Sequence, residues 1–92
     1  MEWRASHILV KDASLAEKLY ERAKRGESIE SLARQYSTCP SKSKGGDLGW
    51  FGEGQMVAPF ENAVRRMGMR TISRPVRTQF GYHIIKKTGE KD

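Results

Sequence analysis

Three features of the sequence predict an α+β fold with a four-stranded, mostly antiparallel sheet. β-Branched, apolar segments lie near both ends of the chain, and stretches of helical period lie between them. The last two extended segments are separated by so few residues that they must form a hairpin. The predicted order is β-α-α-(short helix)-β-α-β-β. Residues 1–92 read as one domain, with no internal repeat and no linker.

Ala5 to Lys11 (Ala-Ser-His-Ile-Leu-Val-Lys) is short and apolar and is followed by Asp12, which predicts a central strand. From Ser14 the period changes: Leu15, Ala16, Leu19 and Ala23 share one helical face, and Glu17, Lys18, Glu21 and Arg22 the other. Ser14 with Glu17 three residues on predicts a capping box, and Gly26 supplies the stop. A second helix is expected over Ile29 to Tyr36, where Ile29, Leu32, Ala33 and Tyr36 repeat at helical spacing behind Ser28 as N-cap. Ser37 to Gly46 reads as a polar connection with a short helical turn after Pro40. Asp47 to Gly52 is a glycine-interrupted strand, in which such glycines mark a bulge or a close backbone approach. A third helix is expected from Pro59, with Phe60, Ala63, Val64 and Met67 as its apolar stripe. Pro75–Thr78 and Gly81–Lys87 form the closing hairpin about Gln79-Phe80-Gly81; Tyr82, Ile84 and Lys86 face one way, and His83, Ile85 and Lys87 the other.

Composition excludes several classes. With 37% hydrophobic and 30% charged residues, the chain can bury a small core, and its longest apolar runs are far short of the roughly 20 residues of a membrane span. Met1-Glu2-Trp3-Arg4 lacks the charged-then-apolar pattern of a secretory signal, so a soluble, cytoplasmic, monomeric protein is expected. One cysteine, Cys39, excludes an internal disulfide. The net charge of +6 divides evenly, with nine basic against six acidic residues in 1–46 and eight against five in 47–92. The one local excess is Arg65, Arg66, Arg70, Arg74 and Arg77, either a solvated face or a patch for a polyanion.

His7 and His83 each sit inside an apolar strand and, if those strands pair, both can face one side of the sheet. Alone, each reads as a hydrogen-bonded core residue; together with the hydroxyls of Ser6 and Thr78 they suggest a buried polar network. Cys39 and the histidines lack the local ligand pairs of a zinc site, and no protease signature surrounds the thiol. The glycines from Gly45 to Gly54 match neither GxGxxG nor a P-loop, so no cofactor is expected. Met56, Phe60 and Phe80, beside turn residues, are core candidates that could instead floor a small apolar pocket next to the histidines.

The stretches Ser6-His-Ile-Leu-Val-Lys11, Ser37-Thr-Cys-Pro-Ser41, Gly45-Gly-Asp-Leu-Gly-Trp-Phe51, Gly54-Gln-Met-Val57, Pro59-Phe-Glu61 and Pro75-Val-Arg-Thr-Gln-Phe-Gly-Tyr-His-Ile-Ile85 cover most of the chain. Together they resemble the parvulin family of peptidyl-prolyl cis/trans isomerases. The resemblance implies the parvulin (FKBP-like) fold, an isomerase acting on Xaa-Pro bonds of peptides and unfolded or flexible protein chains, and no cofactor. By position, His7 and His83 match the paired central histidines, Cys39 the thiol above them, and Thr78 the hydroxyl bonded to the histidines. Met56, Phe60 and Phe80 match the proline-ring pocket, and Leu48 and Gln55 its rim. Two departures stand out. Arg70-Thr71-Ile72-Ser73 occupies a turn where relatives have Gly-Glu-Val/Ile-Ser, a change expected to strain the backbone. Lys11-Asp12-Ala13 replaces the long basic loop of phosphate-directed members, which argues against a need for a phosphorylated residue before proline.

Overall fold

The computed structural model describes residues 1–92 as β1 (Glu2–Val10), α1 (Ala13–Lys24), α2 (Ile29–Tyr36), a 3₁₀ turn (Pro40–Lys44), β2 (Asp47–Gly52), α3 (Ala58–Arg66), β3 (Val76–Thr78) and β4 (Gly81–Lys91). The strands form one antiparallel sheet in the order β2-β1-β4-β3, which makes β1 and β4 its centre.

Strand alternation decides what each face carries. On one face Ile8, Val10 and Ile84 pack with Ala16, Leu19 and Ala23 of α1 and with Ile29, Leu32 and Ala33 of α2. On the other, Trp3, Ala5 and Ile85 pack with Phe51 of β2 and with Phe60 and Val64 of α3. His7 and His83 follow the same alternation and fall on the α3 side.

Helix ends largely match the expected chemistry. Ser28 caps α2 by accepting from the Ser31 N–H. After α1, Gly26 takes φ 114°, its N–H bonds the Ala23 carbonyl, and the Glu27 N–H bonds that of Arg22, the paired closure that favours glycine. The start of α1 differs from expectation. Asp12, not Ser14, is the N-cap, its Oδ2 accepting from the Leu15 N–H at 3.2 Å; the helix starts one residue before Ser14, so no capping box forms. Tyr36 also departs from the predicted stripe: it is exposed, its hydroxyl accepts from Arg22, and its ring lies under the Arg22 guanidinium.

The central strands are longer than predicted. β1 begins at Glu2 because Trp3, 1% exposed, continues the buried face, and β4 runs to Lys91 to pair with it across a bulge near Thr88. β3 begins at Val76, after a proline that has no N–H to give. No helix is long and apolar enough to cross a membrane.

Candidate active site

On the α3 face, β1 and β4 hold two imidazoles nearly parallel, 5.0 Å between centroids, with Nδ1 of His7 and Nδ1 of His83 at 2.9 Å. Both are almost fully buried. Burial lowers the pKa of each to about 4, for His7 with a second contribution from the charge His83 would carry, so both are neutral at pH 7. One Nδ1 must then donate and the other accept. Nε2 of His83 lies 2.7 Å from Oγ1 of Thr78, which also accepts from the Phe80 N–H at 3.1 Å. Two proton orders satisfy this chain. Either Thr78 donates to His83 and His83 to His7, or both donations reverse. In each, Nε2 of His7 is buried without a hydrogen-bond partner.

Phe60 seals the pair from below. Its ring, 2% exposed, meets His7 edge-on at 5.6 Å and His83 at 5.2 Å. Above the imidazoles, a hollow of about 450 Å³ is lined by both histidines, Cys39, Leu48, Gln55, Met56, Phe60 and Phe80. All the site residues expected from the sequence thus line one cavity, except Thr78, which stands behind His83. Phe80 is half exposed at the hairpin turn, and Gln55 Oε1 accepts from the Gly52 N–H at the rim. The lining contains no Asp, Glu, Lys or Arg, and both of its histidines are neutral at pH 7.

Ser6 is the exception to the predicted network. It points to the opposite face from His7, as alternation requires, and does not join the histidines. Four lining residues, Leu9, Thr38, Pro40 and Val57, were not singled out from the sequence. Leu9 had a signal, since it lies two residues after His7 on the same strand face. Ser37 lies in the segment that reads from sequence as a polar connection. Its hydroxyl, in a residue only 1% exposed, accepts from the N–H groups of Leu9 and Cys39, while the Thr38 N–H donates to the Leu9 carbonyl at 2.8 Å. These bonds lay residues 37–39 along β1 and bring Cys39 to the cavity. Gly46 completes the arrangement: its carbonyl accepts from the His7 N–H, and a Cβ there would lie 2.3 Å from the His7 carbonyl oxygen. Gly46 lies just before β2; inside the strand it is the bulge that the glycines mark, since Gly49 takes φ 72° where the β1–β2 register shifts and a Cβ there would meet nothing within 4 Å.

Residues 7–89 match the model of the PPIC-type PPIase domain, a rotamase family. The chain belongs to this family. It is 55% identical over 89 residues to the foldase protein PrsA of Bacillus subtilis, a match that covers 96% of this chain and 30% of that protein. The crystal structure of the peptidylprolyl isomerase PrsA from Bacillus anthracis superposes with a TM-score of 0.97 at 48% identity, covering 99% of this chain and 42% of that one. The parvulin of Nitrosopumilus maritimus, in its solution structure, superposes with a TM-score of 0.84 at 42% identity and covers 96% of both chains. The chain therefore spans about a third of the length of the curated PrsA relatives it matches and nearly the whole of a small parvulin. The parvulin fold expected from the motifs is the fold observed.

Two of the five arginines of the basic stretch are engaged on different parts of the surface. Arg65 pairs with Glu61 and Glu53 and covers Trp3, whereas Arg74 lies over Tyr20 of α1, 4.0 Å from Glu17.

Proposed function

We propose that this chain catalyses cis/trans isomerisation of Xaa-Pro bonds in peptides and flexible protein segments, without a covalent intermediate and without a phosphate requirement. The observation that carries the reading is an uncharged, apolar hollow over a pair of neutral, mutually bonded imidazoles. The uncatalysed barrier of ~18–20 kcal/mol comes from amide resonance, and the reaction breaks no bond. A planar amide is more polar than a twisted one, so an apolar environment disfavours the planar ground state more than the transition state. Each tenfold acceleration needs about 1.4 kcal/mol of such differential binding. Met56, Phe60 and Phe80 hold the proline ring while the carbonyl side turns.

Rotation about the amide breaks no bond, so the reaction needs no nucleophile from Cys39. The Cys39 thiol accordingly shapes the polarity around the carbonyl. Absence of any basic side chain from the cavity lining supports recognition without a phosphate group. Polyanion binding through Arg65, Arg66, Arg70, Arg74 and Arg77 has less support, because Arg65 and Arg74 are already engaged by acidic neighbours.

The test is exchange spectroscopy on a panel of Xaa-Pro peptides, with and without a phosphorylated residue before proline. Catalysed exchange that is no faster for the phosphorylated members is the expected result. A folded chain that binds these peptides and leaves their exchange rate unchanged would make it a binding module instead.

A further inference from the structure

One wall of the cavity has no secondary structure of its own. Gln55, Met56 and Val57 all line the hollow, yet residues 53–57 form neither strand nor helix. Val57 is the N-cap of α3 and supplies no side-chain bond to the first-turn N–H groups. The wall is held from the helix by Glu61. Its Oε1 accepts from the Gly54 N–H at 2.8 Å, and its Oε2 accepts from Arg65 Nη1 at 3.1 Å. Arg65 reaches Glu53 at 3.5 Å and stacks 5.3 Å above Trp3, one of the most deeply buried residues. The carboxylate is the sheltered member of this group: its side chain is 12% exposed, against 47% for Arg65 and 62% for Glu53. The first turn of α3 also favours a negative charge there.

We propose that Glu61 is a positioning residue for the isomerase: it fixes residues 53–57 to α3 and so sets where Met56 stands relative to Phe60. This rests on the isomerase reading, and the test separates the two. A charge-assisted bond to a backbone N–H must be made at the right length, so geometry, more than charge, is what Glu61 supplies.

Three variants are compared with the wild-type chain: Glu61→Met, which removes the acceptor; Glu61→Asp, which keeps the charge but shortens the reach; and Glu61→Gln, which keeps an acceptor oxygen at the same reach. Peptide affinity is read by NMR titration, turnover of bound peptide by exchange spectroscopy, and stability by thermal melting. Glu61→Met and Glu61→Asp are expected to weaken binding about fivefold, the equivalent of one ordinary hydrogen bond. Turnover of the bound peptide should stay within about twofold, and Glu61→Gln should recover most of the affinity. If Glu61→Met does not fold, Glu61→Asp decides alone. Wild-type affinity in Glu61→Asp, or a loss in Glu61→Gln as large as in Glu61→Asp, overturns the proposal. A wild-type chain that binds peptide without catalysing exchange ends the isomerase reading, while the order of affinities among the variants still decides the role of Glu61.

Discussion

Nδ1 of His7 and Nδ1 of His83, 2.9 Å apart, share one proton in a place where burial disfavours the charge that any further proton would bring. This fixes the sign of a pH effect on stability. Both folded-state pKa values, about 4, lie below the ordinary value of 6.5, so between these limits the unfolded chain binds more protons than the folded one. Stability from the neutral pair is fully present above pH 6.5 and is lost progressively as pH falls toward 4. Urea midpoints should decline over this window, and the decline should shrink in His7→Gln. A midpoint that is flat from pH 7 to 4.5 would contradict the neutral assignment.

Thr78 closes the same chain of hydrogen bonds from behind, and its hydroxyl also receives the Phe80 N–H. Thr78→Val keeps the shape but leaves both Nε2 of His83 and the Phe80 amide without this partner. The cost expected for the orphaned, buried His83 nitrogen is ~1–3 kcal/mol, and catalysed exchange should fall together with the loosening of Phe80. Chemical denaturation and the Phe80 amide exchange rate, measured on the same variant, check both parts.

Cys39 is the residue on which covalent and non-covalent routes divide. Because the rotation breaks no bond, Cys39→Ser should keep a substantial fraction of activity, and so should Cys39→Asp, which retains polarity at that position. Near-complete loss in both variants, with circular dichroism unchanged, would favour attack by sulfur on the carbonyl carbon.

Met56 and Phe60 both line the cavity, but they need different tests because their burial differs. Met56 is half-buried, so Met56→Ala should reduce kcat/KM about tenfold, through lost contact with the ring, while changing the melting temperature little. Phe60 is at once pocket floor and core. Phe60→Ala would cost ~3–5 kcal/mol, a large part of the stability of so small a domain. Phe60→Leu, which keeps most of the volume, is the informative substitution. Unchanged kcat/KM in both Met56→Ala and Phe60→Leu would remove these side chains from substrate binding.

Much of this site was legible because strand alternation and helix spacing are local rules. Once Ala5 to Lys11 and Gly81 to Lys87 are read as neighbouring strands, His7 and His83 share a face by parity, and Ser6 is excluded by the same parity. The residues that the sequence did not mark act through contacts distant along the chain. Ser37 is an unremarkable polar residue until its hydroxyl receives the Leu9 N–H, 28 positions away. Lys87 is harder still: alternation puts it on the opposite face from Lys86, but each face carries an isoleucine, so nothing marks Lys87 as the buried one. It is 2% exposed, with Nζ donating to the Met67 carbonyl at 3.0 Å and to Glu90 at 2.5 Å. Only the position of the end of α3 over β4 creates that niche. Asp12 won the cap from Ser14 for a local reason, but one that depends on where β1 ends, and helix starts are uncertain by a residue or two on sequence alone.

Arg70 is the residue whose conformation the family motif and the structure explain together. The motif that the sequence resembles implies glycine here, and with φ 64° Arg70 is the only non-glycine residue in the left-handed region. The surroundings hold it there: its N–H donates to the Lys87 carbonyl at 2.7 Å, the Thr71 N–H donates to Gly68, and the Ser73 N–H donates to Ile85. An L side chain in this region costs roughly 1–2 kcal/mol, while a glycine would restore ~0.5–1 kcal/mol of unfolded-chain entropy against the fold. The difference favours Arg70→Gly by about 0.5–1 kcal/mol. For a domain of this size that corresponds to a rise in melting temperature of a few degrees. The side chain itself is exposed and no salt bridge would be lost, so Arg70→Ala, which keeps the strained backbone without the guanidinium, should melt close to the wild type. Equal gains in both variants would place the effect in the charge of Arg70 and not in its backbone.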